Sequence, residues 1–524
     1  MVFRFDHAGA RTVTSHTIPA AGQFGYLADA VPQELPENGW SYAQNFRFRN
    51  GYAERFRGET QVFTAPSVIP YWLTSFRNQT SKLWIHAGLN RVYVDDGSTR
   101  TDLTPVVPFT GNIDDRWTGG SASGVLVANN GVDMPQFWGG NPAVKLANLT
   151  AWNTLWRCAS LRPFKQYLIA LNITKSGTQF ANMVKWSAAA APGTLPVSWD
   201  ETDATKDAGE QDIAETADVL VDQLQLGDVN VLYKEKSMYG MQYIGPPYIW
   251  RFYRLPGEVG MLARGCAVNT PKGHVVLTAG NVILHSGQGP QSIVTGRMRQ
   301  WLFNNIDTNN FSRAFVCENY QTNEVWICFP QTGQTACTQA LVWNWQDDTF
   351  GVRDLNNATY GASGQISIGG TSTWATDAGT WDSDTTSWNS DGFGASESRL
   401  LLTTKLPLIV LTETGAQFNG VNPTCTLERT GMAFDTPDVV KTVRSIVPRV
   451  DAAMGTVINF QVGGSMDAEV APTWSAVSSY TVGTTRKVDL FAAGRFLAIR
   501  ATSTSAQAWR IKSYDMDVQA HGAY

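Results

Sequence analysis

The chain has 524 residues, of which 16% are charged, and its 40 Lys and Arg against 45 Asp and Glu leave a net charge of −5. It therefore lacks the cation excess by which a protein grips nucleic acid through the phosphates, and its low charge fits a surface partly covered by neighbouring subunits or a core rich in aromatics. With 47 Gly, 23 Pro and 19 Trp the composition favours short strands joined by tight turns, and no apolar run has the length of a membrane span.

The N-terminus carries no apolar signal core, so synthesis in the cytoplasm is expected. The first predicted element is a hairpin in residues 45–56, NFRFRNGYAERF. Asn-Gly between alternating runs marks a type I′ turn, because both central residues must take positive φ. With Asn50 and Gly51 at the tip, Arg49 faces Tyr52, Phe48 faces Ala53, Arg47 faces Glu54 and Phe46 faces Arg55. The arginines then divide between the two sides of the ribbon: Arg47 and Arg49 lie with Glu54, and Arg55 lies with Phe46 and Phe48. No single basic patch forms, which favours a scaffold role over nucleic-acid binding. Residues 1–65 are too few and too polar to stand alone, so this segment is expected to dock on another part of the fold or on a neighbouring subunit.

A unit of apolar strand, polar turn and second strand then recurs from Leu83, Val125, Tyr167, Val231, Val275 and Val325, at steps of 42, 42, 64, 44 and 50 residues. A period in the low forties matches a β-propeller blade, which cannot bury its own faces and must stack on the next. An all-β fold is expected, with a six- or seven-bladed β-propeller over residues 66–438. The long step contains a hydrophilic, acidic insert at 198–218, read as a surface excursion with a short helix at its end. A second insert, 373–394, repeats Trp374, Trp381 and Trp388 every seven residues. The Asp, Ser, Thr and Gly between them favour turns over a coiled coil, so these tryptophans are read as anchors of an irregular loop. Residues 399–411, RLLLTTKLPLIVL, restore strand character and are expected to close the ring. From 439 to 524, β-branched alternation without blade spacing predicts a separate β-sandwich-like domain.

Groups that chemistry depends on are sparse. There is no Walker A phosphate cradle, no H-E-x-x-H and no G-x-S-x-G. The six histidines and six cysteines are scattered, with no metal-ligand spacing, and no metal or cofactor is expected. One disulfide is conceivable: with Thr322 and Asn323 as a hairpin tip, Cys317 would face Cys328. Asp377, Asp382, Asp384 and Asp391 lack the Gly and Glu positions of an EF-hand and are read as turn residues. A sialidase-type turn is approached once, by TDAGTW at 376–381, one residue short between its Gly and Trp.

Residues 35–63 (LPENGWSYAQNFRFRNGYAERFRGETQVF), 340–355 (ALVWNWQDDTFGVRDL), the tryptophan loop with TWDSDTTSWNS, and the terminal GRFLAIRAT and AWRIKSYDMDV together resemble the tail nozzle proteins of short-tailed bacteriophages, also called tail tubular protein B. The resemblance implies a structural virion protein and not an enzyme: a six-fold homo-oligomeric ring below the tail adaptor ring, in contact with tail fibres or spikes. Its channel would pass double-stranded DNA without specific binding. In that setting the hairpin charges Arg47, Arg49, Glu54 and Arg55 are expected on the surface, serving subunit contacts. A receptor- or glycan-binding propeller and a propeller glycosidase are the alternatives, the latter needing only two carboxylates about 5 to 10 Å apart.

Overall fold

The structure, a computed structural model, describes residues 13–28, 31–77, 82–122, 124–294, 296–366 and 398–523. Five four-stranded antiparallel sheets follow one another, each a meander of strands consecutive in sequence. They run from Trp72–Arg77 to Arg100–Asp102, Thr118–Ala122 to Ala147–Asn148, Trp156–Phe164 to Gly209–Asp212, Leu220–Leu226 to Ile249–Arg254, and Ala267–Thr270 to Pro290–Ser292. Turn chemistry sets these registers. Between the paired Lys175 and Thr178, for example, Ser176 and Gly177 take φ of 49° and 88°, the two positive values a tight hairpin needs.

Two more four-stranded units are embedded in a 13-stranded sheet. The sixth joins Phe315–Asn319, Glu324–Phe329, Cys337–Asn344 and the first part of a 17-residue strand, Thr349–Gln365. The second part of that strand opens a seventh unit with Ser398–Thr404, Leu408–Thr412 and, from far upstream, Glu59–Gln61. The first strands of the seven units touch in chain order, and that of the seventh touches Trp72–Arg77 of the first, so the series closes.

Apolar faces hold neighbouring units together. Phe76, Ile85 and Val94 of the first unit pack with Leu126 and Trp138 of the second, and Ile169 and Leu171 of the third pack with Leu232 and Met241 of the fourth. A lone meander would leave these residues in water, which is why the units stack. The helix expected near 218 is absent. The insert instead contains the strand Gly209–Asp212, which pairs with Thr178–Trp186, and finishes in turns; the buried Lys185 ties it down through ion pairs of 2.9 Å to Glu210 and 2.5 Å to Glu201. Among the described residues the α-helix is Gly296–Asn305, between the fifth and sixth units.

Beyond the seventh unit two sheets enclose one core. Val439–Ala452, Trp509–Ala523 and Val488–Gly494 form the end of the 13-stranded sheet, joined by Val13–Ile18. Facing them is a six-stranded sheet that contains Cys425–Met432, Phe496–Ser503, Val457–Ser465 and Tyr42–Gln44. Ile446, Ile458, Phe460, Ile499 and Met516 bury between the two. Cys425–Met432 falls before the composition break at 439 but belongs to this pair of sheets, because its partner strand, Phe496–Ser503, is remote in sequence.

The register of the sixth unit differs from that expected. Asn319 pairs with Glu324, leaving a four-residue loop, so Cys317 faces Trp326 and Cys328 faces Phe315. Asn323 has φ of 58° while Thr322 is not left-handed, and a two-residue I′ turn needs both. All six cysteines are free and buried.

Candidate functional site

The hairpin folds with the expected register: Phe46 opposite Arg55, Arg47 opposite Glu54, Phe48 opposite Ala53 and Arg49 opposite Tyr52. Asn50 and Gly51 take φ of 52° and 76°, and the Asn50 N–H is held by Asp347 Oδ2 at 2.9 Å. The hairpin is a splice. Phe46 pairs with Val352 of the sixth unit, and Ala53 and Glu54 pair with Ile511 and Arg510 of the C-terminal sheets.

Its charges do not lie where they were expected. Arg47 and Arg55 are 2% and 1% exposed, so the expectation of surface charge at these positions is corrected. The reason is that both faces of the ribbon are covered. On one face Phe46 packs edge-on against Trp509 at 5.0 Å, and Arg55 donates to the carbonyls of Gln507 and Ala416. On the other, Arg47 forms a forked ion pair with Glu413 and reaches Glu324 at 3.3 Å, its guanidinium 5.0 Å from the centre of the Phe56 ring. Burial works against the Arg47 charge, but Glu413, Glu324 and Glu54 outweigh it and raise its pKa. Burial likewise opposes the Glu413 carboxylate, and Arg47 overrides that and lowers its pKa; for Glu324 burial wins and the pKa rises. Glu54 is held more closely by Arg49, at 2.6 Å, than by its cross-strand neighbour Arg47, at 4.0 Å. Beside this cluster Arg353 pairs with Glu59 at 3.2 Å and lies 4.2 Å from the Phe418 ring centre. These groups form a buried structural core in which Nε of Arg47, Arg55 and Arg353 has no hydrogen-bond partner among the described residues. Trp374, Trp381 and Trp388 lie outside the described residues.

A second constellation stands where the seven units meet. A cavity of about 190 Å³ is lined by one or more residues of every unit, among them Trp72, Gly119, Arg162, Asp222, Val268, Glu318 and Tyr360. Arg162 grips Asp222 through Nε and Nη2 at 2.8 and 2.7 Å, and Ser160 Oγ adds a bond of 2.7 Å. Burial opposes the Asp222 charge, yet Arg162 and these hydrogen bonds prevail and lower its pKa. Glu318 faces the same cavity without such a cation, and burial pushes its pKa up to about 7. Just behind the wall, the Arg116 guanidinium lies 5.7 Å from the centre of the Tyr360 ring, and Arg264 donates to the carbonyls of Ala159 and Arg116 at 2.7 and 3.2 Å. Among the described residues no group of three or more His, Cys, Asp or Glu could hold a metal ion.

The sequence reading missed every one of these axial groups. Their common signal is faint: Arg162, Asp222 and Glu318 are each a polar side chain on the first strand of a unit, and no fixed spacing connects them.

No protein-family model matches the chain, and no curated protein matches it. Among solved structures it is similar to the WD40 β-propeller domain of Doa1, at 10% identity and a TM-score of 0.37 over 68% of this chain and 98% of that one. It is also similar to PorZ, a surface component of the type-IX secretion system of Porphyromonas gingivalis, at 8% identity and a TM-score of 0.33 over 83% of this chain and 46% of that one.

Proposed function

We propose that this chain is a structural subunit, a wall segment of the ring-shaped nozzle of a short phage tail. In this reading the seven four-stranded units are the blades of a β-propeller that runs from Glu59 to Thr412, and Glu59–Gln61 is the strand that closes it. The two C-terminal sheets are a β-sandwich that borrows Val13–Ile18 and Tyr42–Gln44 from the N-terminal segment.

The observation that carries the reading is the splice at the hairpin. Through Phe46–Arg49 and Tyr52–Arg55 the sixth unit and the C-terminal sheets share one hydrogen-bonded sheet, so the two bodies act as a single rigid block. A conduit wall needs that rigidity, whereas domains that close on a substrate need a hinge. Two features agree with it. The axial cavity, about 190 Å³, is below the roughly 300 to 1,000 Å³ of small-ligand clefts. The net charge of −5 suits a passage that must not retain DNA.

Electron microscopy of the purified protein, alone and mixed with a tail adaptor ring, tests the proposal. Hollow rings of about six copies are expected, together with no DNA retention at low salt. Separate monomers under both conditions, or hydrolysis of a glycan substrate, would overturn it.

A further inference from the structure

The residues that line the axial cavity carry one arginine, Arg162, against two carboxylates, Asp222 and Glu318. Arg162 and Asp222 stand on the first strands of the third and fourth units and neutralise each other. Both Asp222 oxygens are spent: Oδ1 accepts from Arg162 Nε and Ser160 Oγ, and Oδ2 accepts from Arg162 Nη2 and from the Gly265 N–H at 3.3 Å. Glu318, Ser363 and Thr74 line the cavity from the first strands of the sixth, seventh and first units, which are consecutive around the axis. The surplus negative charge of the lining is therefore that of Glu318.

Phe315–Asn319 is buried at every residue except Glu318, which stays partly exposed where it borders the cavity. Burial raises the pKa of this carboxyl, its own backbone N–H lowers it, and no cation among the described residues acts on it. Tyr320, two residues along, offers no compensating charge, since burial and Glu318 both keep its phenol protonated. Ser363 Oγ donates to the Glu318 carbonyl, which spends its hydrogen and leaves an oxygen able to accept. A buried carboxylate is costly until a partner offsets its charge, and an unpaired polar group beside open space calls for an ion or a water.

We propose that this side of the axial cavity binds a small alkali-metal cation, with the Glu318 carboxylate as its charged ligand and the Ser363 and Thr74 hydroxyls as neutral oxygen donors beside water. A single uncommitted carboxylate suits a monovalent ion, whereas divalent ions take several carboxylate and carbonyl oxygens, and no such cluster exists among the described residues. The cavity has room for the ion with accompanying water. Cation binding is independent of the ring in which the chain serves, and each fails without the other.

Rubidium is the probe. Protein crystallised at pH 8 with rubidium chloride as its salt is expected to show an anomalous scattering peak in the cavity beside Glu318. Water there and no rubidium would overturn the proposal. Glu318→Gln keeps the shape of the side chain and removes its charge, so the peak should be lost; a peak undiminished in that variant would equally overturn it. In solution, exchanging tetramethylammonium chloride for rubidium chloride at equal ionic strength should raise the urea midpoint of the wild type at pH 8, because an ion that binds only the folded state stabilises it. The midpoint of Glu318→Gln should stay in place. Equal shifts in the two proteins would mark a general salt effect and refute the site.

Discussion

Arg47 and Glu413 stand 366 residues apart in the chain and meet inside the protein as a forked ion pair, with Nη1 and Oε1 3.0 Å apart. The contact ties the N-terminal hairpin to the end of the seventh unit. Both side chains are 2% exposed, so neither charge can return to water when the other is removed.

Arg47→Ala should therefore cost about 3 to 5 kcal/mol, the range for stranding one member of a buried pair. Here Glu413 and Glu324 would be left together without the arginine that bonds to both. Replacing Arg47 by Met and both glutamates by Gln should cost much less. Urea denaturation of the two variants measures the difference, and equal losses would mean that packing, not charge, governs the site.

Glu318 makes stability fall with rising pH. Its pKa is raised from 4.5 to about 7 in the folded protein, so its contribution is complete below pH 4.5 and is lost as pH climbs through 7. The full swing is roughly 3 kcal/mol. Glu318→Gln should match the wild type at pH 4 and exceed it at pH 8. Denaturation curves across that range for both proteins report it, and parallel curves would contradict it.

His274 works in the opposite direction. It is fully buried, with Nδ1 2.8 Å from the Tyr233 hydroxyl and Nε2 2.8 Å from the Gln225 carbonyl. Burial, aided by the nearby His285, lowers its pKa from 6.5 to about 4. The stability it supports is present above pH 6.5 and is lost as pH drops toward 4, again by roughly 3 kcal/mol. Proton NMR should find this imidazole still neutral at pH 5.5, and a midpoint near 6.5 would refute the assignment.

Gly58 leads into the strand that closes the series of units. A Cβ there would stand 2.3 Å from Gln417 O and 2.5 Å from Gln417 N, so Gly58→Ala must push the two backbones apart. A loss of about 1 to 3 kcal/mol is expected. Amide exchange should rise first at Glu59–Gln61 and Leu408–Thr412, which pair with each other. Uniform exchange over all seven units would show that the closing strand has no separate stability.

What the residues revealed in advance follows the range of the physics. The Asn50 and Gly51 turn is a local code, and it predicted the hairpin register correctly. The fate of Arg47 was not local, since Glu324 and Glu413 lie 277 and 366 residues away and alternation along a strand cannot tell solvent from a buried partner. Cys317 and Cys328 were misaligned because two- and four-residue loops leave both cysteines on the same face, and only the φ values decide between them. The axial groups were invisible for a further reason: Arg162 and Asp222 each look unremarkable within their own unit and gain meaning only when the first strands come together.

Thr349–Gln365 serves the sixth unit with its first half and the seventh with its second. A strand shared in this way couples two registers, so inserting or deleting one residue within it would turn the inward side chains of a neighbouring ladder outward. Length variation among descendants of this chain should accordingly be confined to the turns and spare this girder, and engineered fusions should respect the same boundary.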